Sequence, residues 1–242
     1  MGHQSEQTIE GSAAYQRLAN GQLVAEAVAE HLGPRSEWAE APGGYGDRVD
    51  LALVDTVSSI RLSYGRERQE GTYTGVRAIV WRYRVASADL TGEWLEALAG
   101  RDPGELAQVL HNRSKLHGGP TKAEAIVQAA RGFVAANLTT RSAILASPPR
   151  ARSVYGGVKG LGPITFEYFS MLLGFDGVKA EPWIVRFASR AVRHQLSPDE
   201  AADAVRLAAE VLSVGQSTLD HAIWSFCTTT GLDAMAPVPG ER

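Results

Sequence analysis

One cysteine, Cys227, stands in the whole chain of 242 residues. That excludes a disulfide within the chain. It equally excludes a cysteine-ligated zinc site or iron–sulfur cluster, each of which needs several thiolates. No apolar run approaches the roughly 20 residues that a membrane-spanning helix requires. The opening segment, MGHQSEQTIEGS, is polar and lacks the apolar stretch of a secretion signal. No segment alternates with the period of two that marks a half-buried strand, and no repeat of fixed length recurs. The six histidines show no ligand spacing; His111 and His117 share a loop without acidic or cysteine partners. Glycines at 156, 157, 160 and 162 are not followed by Lys-Ser or Lys-Thr, so a nucleotide P-loop is not supported. These absences lead to an expectation of a cytoplasmic protein with no membrane segment, no metal and no cofactor.

What is present is helical almost throughout. Apolar residues recur at three- and four-residue spacing from Ala14 to His31, Val49 to Leu62 and Gly75 to Val85, the last with Val76, Ile79, Val80 and Tyr83 on one face. Asp47 and Thr91 are expected to cap the helices that follow them, and Asp102-Pro103, Thr121 and Ser197-Pro198 are further helix starts. Helices are expected from Lys122 to Asn137, Thr140 to Leu145, Pro182 to His194, Ser197 to Leu212 and Thr218 to Thr229. Between them, Ser63–Thr74 and His111–Thr121 read as polar loops. The fold class is therefore all-α, with about ten helices. Tails at 1–12 and 236–242 are expected to be disordered around one domain over 13–235.

The net charge of −3 argues against binding a polyanion, but its distribution softens that argument. From Arg101 to Gly160 there are nine basic residues and three acids, a surplus of six that leaves −9 for the remainder. A basic face on an acidic body is compatible with DNA binding; a solvated helical surface gives the same count.

The stretch Val158 to Phe187 carries the most information. Gly160-Leu161-Gly162 is a tight turn running into the helical pattern that begins at Pro163. Backbone N–H groups at such a helix start form a ready phosphate site. After a short connection, Glu181-Pro182 opens another helix. An acid there is favoured by the helix dipole whatever its role, yet glutamate is a poorer cap than aspartate, serine or asparagine. Capping alone explains its identity badly.

These residues resemble the helix-hairpin-helix DNA glycosylases, the superfamily of endonuclease III and the alkyladenine glycosylases. The family's hairpin reads Leu-Pro-Gly-Val-Gly-x-Lys-Thr-Ala, against Val158-Lys159-Gly160-Leu161-Gly162-Pro163-Ile164-Thr165-Phe166 here. Its second block, Val-Asp-Thr-His-Val-x-Arg, aligns with Ala180-Glu181-Pro182-Trp183-Ile184-Val185-Arg186. Further likenesses are Gly118 to Ala123, Ile60 to Tyr64 and Leu219 to Trp224, so the resemblance covers about Val49 to Thr229. It implies two helical subdomains flanking a cleft, with the helix-hairpin-helix at 150–175. It also implies a protein that flips a damaged or modified base out of double-stranded DNA and releases it in base-excision repair.

On that resemblance Glu181 is the catalytic carboxylate, in place of the family's aspartate. Lys159, Gly160, Gly162 and Thr165 hold a phosphate, Tyr64 and Gln69 wedge the duplex, Asn112 and Arg113 contact the DNA backbone or the opposite strand, and Lys122 contacts DNA. Trp183 lines the base pocket. Ile164 occupies the position of the family's lysine, so no Schiff base forms there and the enzyme is expected to be monofunctional, without lyase activity, and a monomer. Two alternatives remain. One is a non-catalytic helix-hairpin-helix protein that recognises distorted DNA; the other is a protein-interaction domain that no longer binds DNA.

Overall fold

The computed structural model describes the backbone of residues 3–38, 44–69, 71–229 and 232–239, with side chains from residue 14 onward, Asp233 excepted. In chain order come α1 (His3–His31), α2 (Val49–Ser59), the strands β1 (Glu67–Gln69) and β2 (Thr72–Tyr73), α3 (Gly75–Ala86), α4 (Trp94–Ala99) and α5 (Pro103–Leu110). There follow α6 (Lys122–Ala135), α7 (Arg141–Ala146), α8 (Pro148–Gly156), α9 (Pro163–Leu172), α10 (Pro182–Val192), α11 (Pro198–Val211) and α12 (Gln216–Thr229). Single turns of tighter helix lie at Arg35–Glu37 and Leu232–Ala234. The protein is mostly helical, as expected, with twelve α-helices among the described residues. No helix among these residues is long and apolar enough to cross a membrane.

Side-chain chemistry fixes many of the helix starts. Asp102 accepts from the N–H groups of Gly104 and Glu105, at 2.8 and 2.9 Å, satisfying two orphan donors of α5. Thr121 with Glu124, and Ser197 with Glu200, form reciprocal capping boxes at α6 and α11. Thr140 caps α7. Two expected caps differ. Arg48, not Asp47, precedes α2, and left-handed Glu93, not Thr91, precedes α4. Helix α1 begins at His3, ahead of the expected start at Ala14. Ahead of Asp47 the sequence Pro42, Gly43, Gly44 and Gly46 reads as a loop, of which Pro42 and Gly43 lie outside the described residues.

The segment Ser63–Thr74, expected to be a loop, contains an antiparallel hairpin instead. Its ends are drawn together by backbone contacts, not by strand patterning. Arg66 N–H donates to Thr74 Oγ1 at 3.0 Å, and Thr74 N–H donates to Arg66 O at 3.0 Å. Gly65 and Gly75, at φ +83° and +60°, let the two chains touch.

The chain divides into two compact units: Gly43–Phe175, and a second made of residues 1–42 with Asp176–Arg242. In the first, α2 is buried along its length, every residue from Val49 to Ser58. A helix buried on all sides is the centre of a core, and α3, α4, α6 and α9 pack around this one. Phe133, Phe169, Tyr155 and Phe166 add an aromatic cluster to the same core, with successive centroids 5.4–5.7 Å apart. Lys122 closes the lower end of α2: its ammonium donates to Ser58 O at 2.9 Å and Ile60 O at 2.6 Å. It satisfies carbonyls that the helix end leaves unpaired.

The second unit packs α1 along α11, and α10 and α12 complete it. Its core includes Val24, Val28, Ile184, Phe187, Val205, Leu219 and Ile223. A Cβ on Gly21 would stand 2.5 Å from Leu207 Cβ, so only a hydrogen there permits the α1–α11 approach. Both ends of the chain serve this unit, and the middle of the chain forms the other.

Candidate functional site

The second unit holds Glu181. The connection leading to it is laced onto the first turn of α12. Asp176 accepts from the N–H groups of Gln216 and Ser217 at 2.9 and 2.7 Å, capping that helix from a distance in sequence. Gly177 N–H donates to Ser217 Oγ, and Lys179 N–H donates to Asp220 Oδ1 at 2.9 Å. Glu181 N–H turns back to Lys179 O at 2.7 Å. With the backbone held this way, Lys179 Nζ lies 3.3 Å from Glu181 Oε2, the side chains 18% and 21% exposed.

Glu181 occupies the cap position of α10, yet its carboxylate accepts no hydrogen bond from that helix. Its charge faces the Lys179 ammonium instead. It sits at the positive end of the α10 dipole, opposite an ammonium and near a second carboxyl. Burial, with the Glu181 charge adding to it, pushes that second carboxyl, Asp220, up to about 8. At neutral pH Asp220 therefore carries a proton. Buried Cys227, whose thiol is pushed up to about 12 chiefly by burial, stays protonated.

A measurable consequence follows for Asp220. Its native pKa lies above the ordinary aspartate value of about 3.9, so the folded state binds the extra proton between about pH 4 and 8. Stability is expected to fall as pH rises through that window and to level off above it. Asp220→Asn should flatten this part of the profile and raise stability at pH 9 by on the order of a few kcal/mol. Thermal melts of both proteins from pH 5 to 9 test it; parallel curves would refute the assignment.

The first unit holds the glycine turn between α8 and α9. Gly160 has φ +91°, and a Cβ there would press on Leu116 at 2.9 Å. Gly119 approaches Lys159 O with comparable closeness, so the loop of residues 111–121 packs against the turn. Thr165 Oγ1 accepts from Gly162 N–H at 3.1 Å and donates to Gly162 O at 2.9 Å, holding the first turn of α9. Lys159 is exposed beside it, and Arg113 and Lys115 are exposed on the packed loop. Asn112 is engaged in its own turn, accepting from Ser114 N–H and Oγ.

The remaining expected site residues are dispersed. Lys122 is corrected outright as a DNA contact: it is 4% exposed and its ammonium is committed to α2. Gln69 is exposed on β1. Tyr64 is half-buried, its hydroxyl donating to Asp55 and its ring lying under Arg77 at 5.6 Å. Trp183 packs against the core of the second unit with Arg186 over its ring. The basic segment is also less available than its count suggests. Arg131 and Arg141 donate to the carbonyls of Ala99 and Leu173, and Arg152 pairs with Glu167.

Sequence reasoning missed the parts played by Lys179, Asp220 and Asp55. The signal for the two aspartates is present: each is an acid inside an apolar helical run, LALVDTV and LDHAI. Asp55 is fully buried, and its oxygens accept from Tyr45 at 2.6 Å, Tyr64 at 3.1 Å and Tyr168 at 3.2 Å. Burial and the carboxylate push all three phenols upward, Tyr64 to about 12, so they remain donors.

Fold and site define an all-α protein with a glycine turn in one unit and a helix-terminal carboxylate–ammonium pair in the other. The chain belongs to the family described as Domain of unknown function (DUF8548), whose model matches residues 22–228. No curated protein and no solved structure matches it.

Proposed function

We propose that this chain is a monofunctional DNA N-glycosylase that flips a damaged or modified base and hydrolyses its glycosidic bond. The observation that carries the reading is the Glu181 carboxylate, held at a helix start where it caps nothing. As the C1′–N bond lengthens, positive charge develops on the sugar, and a fixed carboxylate in a partly water-excluded place stabilises it. Water's oxygen then bonds to C1′, its proton passing to Glu181 and on to the departing base. Asp220, protonated at neutral pH, holds the Lys179 backbone, and Lys179 fixes the direction of the Glu181 side chain. The helix-hairpin-helix reading assigns the turn at Gly160 and Gly162 to a DNA phosphate, with Lys159 beside it.

The test is base release from end-labelled duplexes carrying uracil, alkylated, oxidised or deaminated bases, scored after alkali. Glu181→Gln should lower release by about 100-fold or more while leaving DNA binding intact. The Lys179–Glu181 pair favours a second reading, because a neutralised carboxylate serves structure as well as chemistry. In that reading the protein recognises distorted DNA without cutting any bond. No release by either protein, alongside tight binding to distorted duplexes, would select it; equal, measurable release by both would remove Glu181 from the chemistry.

A further inference from the structure

Residues 61–88 contain six arginines and two glutamates, a surplus of four positive charges in a chain whose total is −3. The structure gathers much of that charge around an aromatic pair in the first unit. Trp81 on α3 is 45% exposed, and the ring of Tyr73, on β2, lies against it with centroids 6.5 Å apart. Arg77 and Arg84 are exposed one turn either side of Trp81 on the same helix. Arg66 and Arg68 are exposed on the hairpin that carries Tyr73. Among the described residues, none of Arg66, Arg68 and Arg84 forms an ion pair. Glu67, the acid between two of them, turns its carboxylate onto Gly71 N–H.

A large aromatic left in water costs solubility, and the like-charged arginines around it repel one another. Both costs are relieved by one kind of partner. Its phosphates take the arginines, and its flat apolar bases stack on the indole. We propose that Tyr73, Trp81 and the surrounding Arg66, Arg68, Arg77 and Arg84 form a stacking platform for unpaired bases of a nucleic-acid strand. The inference rests on the reading that this protein binds DNA, and adds to it where bases displaced from the duplex are received. Recognition is tolerant of sequence, because every base presents a stacking face while the arginines read only phosphate.

The test is anisotropy of a labelled single-stranded oligothymidylate with the full chain, over a salt series, with melting curves confirming that each variant folds. Trp81→Ala should weaken binding about tenfold or more, and Trp81→Phe should restore most of the loss. Arg68→Gln and Arg84→Gln should each lower the slope of log affinity against log salt by about 0.7. Unchanged affinity in Trp81→Ala would overturn the platform. So would polyglutamate competing as well as the oligonucleotide, charge for charge, since that points to an acidic protein partner. Failure of the enzyme reading is separately visible. Strand binding that depends on Trp81 without any base release supports the platform and sinks the glycosylase. Base release lost in Glu181→Gln, with Trp81→Ala binding normally, does the reverse.

Discussion

Asp55→Ala is expected to destabilise the Gly43–Phe175 unit by about 3–5 kcal/mol, a large fraction of the stability of an ordinary domain. The carboxylate is fully buried in the middle of α2, with three phenols converging on it from a loop before that helix, a loop after it, and α9. A hydrogen bond to a charged group is worth about 1.5–3 kcal/mol, and removing the acceptor strands three half-buried donors at once. Tyr45→Phe removes one donor and leaves the carboxylate with two phenols, so its cost should be only about 1–2 kcal/mol. Asp55→Asn, which keeps one acceptor oxygen, should fall between. Urea unfolding of the three variants reads the order directly. A loss below about 1 kcal/mol in Asp55→Ala would mean that water or rearranged partners replace the carboxylate.

Gly65→Ala should collapse the pairing of β1 and β2. At φ +83°, an added Cβ would lie 1.9 Å from Thr74 O, inside any possible contact, and backbone cannot yield as a side-chain tip can. The control is Gly71→Ala. That glycine has nearly the same φ, +76°, but open space around its Cβ position. Both substitutions carry the left-handed penalty of about 1–2 kcal/mol; Gly65 alone carries the clash. Gly65→Ala is expected to cost about 3 kcal/mol in total and to abolish exchange protection at Thr74 N–H, which donates across the hairpin. Equal effects from the two variants would show that backbone conformation, not close approach, decides the hairpin. The same variant bears on the proposed platform, because β2 carries the Tyr73 ring that lies against Trp81.

The candidate site was legible in part. Glu181 stood out because an acid before Pro182 begins a helix that aspartate or serine would cap better. The structure adds that its carboxylate makes no cap bond at all. The glycine turn was legible too, since Gly160 needs a left-handed conformation that other residues seldom take. Lys122 was misread for a physical reason. On sequence, a lysine opening a helix after a polar loop is a surface charge; only the end of α2, more than sixty positions earlier, makes it a buried cap. Asp220 was likewise read as part of a pattern and not as a buried acid, because its burial comes from elements packed around α12.

By itself the sequence determined the helices, because helix formation is local. Three- and four-residue apolar spacing, caps such as Asp102, Thr121 and Ser197, and prolines at the first helical position act within a few residues of one another. Tertiary structure alone decided which polar groups are committed and which are free. Asp55 meets Tyr168 across 113 positions, Lys179 meets Asp220 across 41, and the Ser63–Thr74 hairpin closes on glycine contacts rather than on pattern. A charge in a sequence has no environment until distant segments supply one, and the environment determines whether it holds the fold together or is left to meet a ligand.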